Sequence, residues 1–338
     1  MPDRDAAAFV IESLGFEGLV QRRRKIASPG PNQVLVRMRA ASLNFRDLKI
    51  LKGIYSIQPK LPIVPLSDGS GEIVEIGSDV KNFKIGDRVA ATYMEGWHTG
   101  PLTAERKGWK QKSGDVDGTA IEYAAYDQAD VLLIPDSLSY EEAACLPCAG
   151  VTAWHGLVYV GHIKPGDTVL VMGSGGVSVA GLQIAKMAGA RILALSSDDT
   201  KLRHLLKLGA ADGLNYRTTP DWGQAIKRLT QGRGVDHVLE VGGAGTIHQS
   251  IAAAADGAHI ASVGNLTGQF ARGDVVDRGI RITPITVGSR EMQEALMRAI
   301  NMHREMPVID RSYPFAQLKE ALAYLETGKH FGKVVMMF

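Results

Sequence analysis

The sequence predicts an α/β fold, a doubly wound parallel sheet preceded by a β-rich domain. Three observations lead there. Short apolar segments near 168–172, 191–195, 213–215, 235–240, 257–263 and 281–287 alternate with helical stretches, the pattern of a parallel sheet covered on both faces. Residues 1 to about 135 carry short strands set off by Gly and Asp turns, as in a barrel or sandwich. Between Asp167 and Asp199 the chain reads strand, glycine turn, helix, strand.

That last stretch organises the rest. Thr168–Met172 is short, apolar and β-branched, as a strand buried on both faces should be. Gly173-Ser174-Gly175-Gly176-Val177 follows, and an apolar helix runs on to Lys186. Glycines allow a tight turn and a close approach of backbone to ligand, while the helix aims its free N–H groups at an anion. The last position of a strict G-x-G-x-x-G is Ser178. Its setting between two strands still points to a dinucleotide phosphate.

In the first part of the chain, Gln33–Arg39 alternates as a half-exposed strand, and Gly71–Gly77 and Gly86–Ala90 are two more. Gly96 to Gly118 is an irregular loop. Ser139-Tyr140-Glu141-Glu142 is a capping box that opens a helix carrying Cys145 and Cys148. Arg290–Met302 is helical and Phe331–Phe338 returns to strand. The expected domains are 1–149, 150–289 and a return segment, 290–338, that completes the first.

A chain of 338 residues with 45% hydrophobic content supports two domains with large cores. Its 38 basic and 36 acidic residues leave a net charge of +2, which offers no argument for nucleic acid or an acidic membrane. Arg22-Arg23-Arg24-Lys25 reads as a solvated hairpin edge, with a steering patch for an anionic cofactor as the alternative. Two cysteines exclude a disulfide framework and suit a reducing compartment. No run has membrane-spanning length and the N-terminus does not resemble a signal peptide, so a cytoplasmic protein is expected.

Several motifs occur in order: Ala41-Ser42-Leu43-Asn44-Phe45-Arg46-Asp47, Pro65-Leu66-Ser67-Asp68-Gly69-Ser70-Gly71-Glu72, Lys84-Ile85-Gly86-Asp87-Arg88-Val89, Leu146-Pro147-Cys148-Ala149-Gly150-Val151-Thr152-Ala153-Trp154, the glycine turn, Val287-Gly288-Ser289-Arg290-Glu291 and Gly332-Lys333-Val334-Val335. With them the chain resembles the zinc-independent, quinone oxidoreductase-like branch of the medium-chain dehydrogenase/reductase family. The resemblance implies a GroES-like catalytic domain, a Rossmann cofactor domain, hydride transfer with a nicotinamide, and a homo-oligomer, a homodimer or homotetramer, with the dimer expected.

The resemblance also assigns residues. Metal-binding relatives use Cys, His and Cys where this chain matches with Asn44, Ser67 and Cys148, and a four-cysteine lobe where the 96–118 loop has none. Zinc needs about three strong ligands, so no metal is expected, and Cys148 reads as a small buried residue. An acid that would bind both ribose hydroxyls is replaced by Ser196, which can donate to a 2′-phosphate. Lys201 and Tyr216 match residues that hold that phosphate in relatives; a solvated helix lysine and a packed turn aromatic are the alternatives. NADPH is therefore expected over NADH. Thr152 is placed against the nicotinamide, with Gly242, Gly264, Asn265 and Gly288 along its trough. Lys333 is placed on the pyrophosphate, with a surface strand lysine as the alternative.

Without a Lewis acid, hydrogen-bond donors must hold the developing oxyanion. Asn44, Arg46 and Tyr55 are the catalytic candidates; the alternatives are a turn residue, a partner of Asp47 or Asp68, and wall packing. Hydride delivery to a quinone or an α,β-unsaturated carbonyl suits such a site, because charge develops on a delocalised oxygen. A zinc-independent alcohol dehydrogenase or ketone reductase and a non-catalytic NADPH-binding protein are the competing readings.

Overall fold

The structure, a computed structural model, describes residues 4–56, 58–103, 109–264 and 275–338. The chain divides into two compact units, Met1–Cys148 with Gly288–Phe338, and Ala149–Val287.

The second unit holds six parallel strands in the order Asp212–Asn215, Arg191–Ser196, Thr168–Met172, Val235–Glu240, Ala254–Ser262, Arg281–Pro284. Leu193, Leu170, Val238 and Ile260 lie side by side across the four central strands, and none has measurable exposure. A row buried on both faces explains why these segments read as unbroken apolar runs. Strand order reverses between Thr168–Met172 and Val235–Glu240, so the loops after these two strands flank the topological switch point where such sheets bind ligands. The strand expected at 257–263 begins earlier, at Ala254, and that expected at 281–287 ends at Pro284 on the edge strand, where Pro is tolerated, with Ile285 N–H still donating to Ser262 O at 2.8 Å.

In the first unit the eleven-residue strand Gln33–Leu43 is central. One edge pairs with Asp68–Ile76; the other pairs first with Tyr123–Asp127 and then with the returning strand Lys333–Met337. Register brings Ser42 opposite both Asp68 and Val335, and Leu43 opposite Val334, next to Lys333. Residues more than 250 apart in sequence thus meet at one end of the sheet. Two apolar clusters, one around Leu43, Leu48, Ile50 and Met336 and one around Val34, Val36, Ile73 and Val89, cover the sheet.

Two local features refine the sequence reading. The capping box is present, with Glu142 N–H donating to Ser139 Oγ and Ser139 N–H to the Glu142 carboxylate. The helix it opens, however, is α-helical only over Tyr140–Ala144 and widens to a π-turn at Leu146–Gly150. Pro147 explains this: it has no N–H to donate, and its ring crowds the carbonyl of Ala143. The basic run lies on the exposed strand Leu19–Ile26, where Arg22 pairs with Glu12, Arg24 with Asp117, and Arg23 lies 3.9 Å from Glu122. Exposed pairs of this kind add little stability. Among the described residues no helix is long and apolar enough to cross a membrane.

Candidate active site

In the second unit the glycine turn has the shape of an anion cradle. Gly173 has φ +80°, and a Cβ built on Gly173 or Gly175 meets nothing within 4 Å. The helix Gly176–Met187 starts directly after it. Ser178, at the place of the third glycine, donates its hydroxyl to Met172 O at 2.5 Å, fastening the helix to the strand end. Ser174 is buried, while Gly176 and Val177 are half-buried.

At the end of the next strand, Ser196 is buried and its Oγ accepts from Asp198 N–H at 3.2 Å. Asp198 caps the helix Asp199–Leu208 through Lys201 N–H, and Asp199 accepts from the Asn215 amide at 2.6 Å. Both acids therefore have local structural partners. Lys201 is half-buried and Tyr216 is 41% exposed.

Across the switch point the buried carboxylate of Glu240, which sequence reasoning passed over, organises the loop. It accepts from Gly242 N–H at 2.6 Å, Gly243 N–H at 3.0 Å and Thr246 Oγ at 2.7 Å, and also from Ser250 Oγ. Gly264 packs so closely that a Cβ would lie 2.5 Å from Gly243 N, which explains its residue type. Asn265 lies outside the described residues. Thr152 is buried in the turn Val151–Trp154. His155 donates from Nδ1 to Val287 O at 2.7 Å; burial lowers its pKa and keeps it neutral. Gly288 belongs to the first unit and immediately precedes the helix cap Ser289.

The first unit contains a buried polar cluster. Asn44 precedes the helix Phe45–Leu51 and its N–H donates to Asp47 Oδ2 at 2.8 Å. Its amide is committed on both sides. Nδ2 donates to Asp68 Oδ2 at 2.8 Å, and Oδ1 accepts from Lys333 Nζ at 2.6 Å. These bonds make Asn44 a tether between two buried charges. Lys333 differs from the surface strand lysine of its alternative reading. Only 5% exposed, its ammonium also donates to Leu43 O at 2.7 Å and lies 3.7 Å from Asp68 Oδ2. It is an internal lysine.

Arg46 stands beside this network. Its Nη1 donates to Ser67 Oγ and, at 3.1 Å, to Lys112 O. Ser67 in turn donates to Asp47 Oδ1 at 3.1 Å, and that oxygen is 3.5 Å from Nη1. Of its two expected acidic partners, Arg46 therefore takes Asp47. Cζ sits 5.0 Å from the Tyr55 ring centre and 4.8 Å from that of Tyr93. Burial opposes the guanidinium charge, yet Tyr93, Asp47 and Tyr55 outweigh it and hold the pKa above its ordinary value. Burial lifts Asp47 to about 6 against the pull of Arg46, and pushes Asp68 up against the pull of Lys333. It also pushes the Cys148 thiol up to about 12, so that sulfur is neutral at pH 7. Tyr93 and Lys112, missed in the sequence, are brought here by the segments Tyr93–Glu95 and Lys110–Lys112, whose irregular patterning carried no signal of contact.

Two family descriptions match the chain: an alcohol dehydrogenase GroES-like domain over residues 30–136 and a zinc-binding dehydrogenase domain over 176–302. A zinc-type alcohol dehydrogenase-like protein of Schizosaccharomyces pombe is 40% identical over 96% of both chains. The chain belongs to the medium-chain dehydrogenase/reductase family. This dehydrogenase/reductase is also 27% identical to the quinone oxidoreductase of Pongo abelii, over 91% of this chain and 90% of that one. Among solved structures, a putative alcohol dehydrogenase from Sinorhizobium meliloti superposes with TM-score 0.93 at 36% identity over all of both chains. An NAD-dependent alcohol dehydrogenase gives TM-score 0.90 at 34% identity over 98% and 99%. Membership makes the chain an oxidoreductase with a nicotinamide cofactor, and the open cradle at Gly173 and Gly175 fits the phosphates of such a group.

Proposed function

We propose that this enzyme is an NADPH-dependent, zinc-independent reductase that transfers hydride to a quinone or an α,β-unsaturated carbonyl compound, and that it works as a homo-oligomer. The observation that carries the reading is the fate of the three positions matched to metal ligands in relatives. Asn44 is tied to Asp68 and Lys333, Ser67 to Arg46 and Asp47, and Cys148 alone of the three is a strong zinc ligand by type. A guanidinium already hydrogen-bonded to one of the three does not suit a zinc site, and no step is derived through a metal. Among the described residues no group of three or more His, Cys, Asp or Glu could hold one.

When bound, the reduced nicotinamide supplies the hydride. The chain's own contribution is electrostatic. Arg46 and Tyr55 supply donors for the oxygen on which charge develops, a role for which one donor is worth about 10²–10³ in rate. Water then delivers the proton. Ser196, Lys201 and Tyr216 support NADPH, since a hydroxyl and a cation accept a 2′-phosphate that a carboxylate at position 196 would repel.

The test is NADPH oxidation by chelator-treated enzyme across quinones, enones and saturated ketones. Turnover of quinones or enones, insensitive to chelator, is expected. Turnover only with saturated ketones, or only with alcohols in reverse, would establish the dehydrogenase reading that the names of several relatives favour. NADPH binding without turnover of any compound would establish a binding protein.

A further inference from the structure

Arg46 is 9% exposed and its five N–H groups are unevenly used. Nη1 serves Ser67 Oγ and Lys112 O. Nε and Nη2 are shielded from water and find no acceptor among the described residues. These two atoms form one edge of the guanidinium, the fork whose parallel N–H bonds match the two oxygens of a carboxylate. Cζ also lies over the Tyr55 and Tyr93 rings, and the Nε/Nη2 edge is the unused recognition element.

The charges point the same way. Asp47 lies on the Nη1 side, 3.5 Å away, and Lys333 and Asp68 compensate each other at 3.7 Å. Neither Cys148 nor Tyr93 can supply an anion near neutral pH, since both protons are held far above it. A buried cation with an empty fork is costly unless a partner arrives, and a charged acceptor satisfies it better than a neutral one. A lone ketone oxygen bonds one N–H well; a carboxylate bonds both. We propose that the Nε/Nη2 fork of Arg46 receives a carboxylate of the substrate, so that the compound reduced is a carbonyl compound bearing a free acid. This rests on the reductase reading above and narrows its substrate class. Tyr55 then remains the donor for the reacting carbonyl oxygen.

The test is calorimetric titration of cofactor-free enzyme with butanoate and with its neutral isostere butanamide. Neither can be reduced, so binding is read without turnover. Butanoate is expected to bind about tenfold more tightly than butanamide or better. Arg46→Lys keeps the charge but loses the fork, and should abolish the preference. Equal affinity for acid and amide, no heat with butanoate, or a preference that survives in R46K would each overturn the proposal. The comparison on unmodified enzyme needs no variant to fold. Loss of the acid preference would sink this inference alone. Absence of NADPH oxidation across the panel, with acid binding intact, would sink the reductase reading alone.

Discussion

Replacing Lys333 with Met tests the buried network most directly. Its ammonium donates to Asn44 Oδ1 at 2.6 Å and Leu43 O at 2.7 Å and sits 3.7 Å from Asp68 Oδ2, with side-chain exposures of 6% for Lys333 and 0% for Asp68. Methionine fills a similar volume and removes only the charge and the donors. Asp68 then keeps two close donors, Ser42 at 3.0 Å and Asn44 at 2.8 Å, but loses its nearest cation. Breaking a buried pair by deleting one partner costs about 3–5 kcal/mol. For a unit of this size that is a fall in Tm of roughly 6–20 °C. Urea unfolding at pH 7, followed by circular dichroism, measures the loss. The deficit should shrink on acidification, because protonating Asp68 removes the orphaned charge. In the K333M/D68N double variant the carboxylate is gone, and about 2 kcal/mol or more should return as coupling energy. A K333M loss below about 1 kcal/mol, or a double variant no more stable than K333M, would refute the claim that Lys333 serves Asp68.

Other expectations are as direct. Gly175→Val places its side chain in open space at an ordinary φ of −78°, so thermal stability should hold while NADPH binding, by fluorescence titration, falls at least about tenfold; unchanged binding would remove the turn from the phosphate site. Asp47, raised to about 6, contributes stability at low pH that is lost as pH rises from about 4 through 6; against Asp47→Asn, unmodified protein should lose about 3 kcal/mol over that window, and parallel pH curves would refute it. His259 is lowered to about 4 by burial and then by Arg281, His237 and His162, while Nε2 meets Thr283 Oγ at 3.0 Å. Its stabilisation is present above pH 6.5 and lost as pH falls toward 4, up to about 3 kcal/mol, and His259→Gln should flatten that slope in acid unfolding. Ser196→Asp should weaken NADPH relative to NADH by about tenfold in inhibition assays, and an unaltered ratio would count against the 2′-phosphate assignment.

What could be read from the sequence follows the range of the interactions. The parallel sheet was legible because burial on both faces leaves a mark in every strand: Thr168–Met172 and Arg191–Ser196 are apolar over nearly their whole length. The glycine turn and the Ser139 capping box were legible because their partners lie within a few residues. The widening at Leu146–Gly150 is also local, at Pro147, yet the sequence reading runs a regular helix through it. Glu240 left a fainter trace, an acid closing a buried strand just before two glycines whose N–H groups need an acceptor.

The buried charges are of another kind. Whether Lys333 points to solvent or inward depends on strand pairing with Leu43, 290 residues away, and nothing near Lys333 records that register. Arg46 shows the same limit. In the sequence it is a catalytic candidate, with a partner of Asp47 or Asp68 as the alternative. Only the fold brings Ser67, Lys112, Tyr55 and Tyr93 around it and turns a paired cation into a buried one whose Nε and Nη2 find no acceptor among the described residues. Motif matching identified the positions where relatives carry metal ligands, because a missing Cys or His is visible residue by residue. It could not identify which side chain compensates there, since a compensating charge comes from whatever the tertiary structure places within a few ångströms. In this chain the guanidinium lies two residues from Asn44 yet bonds to Ser67, twenty-one residues further on.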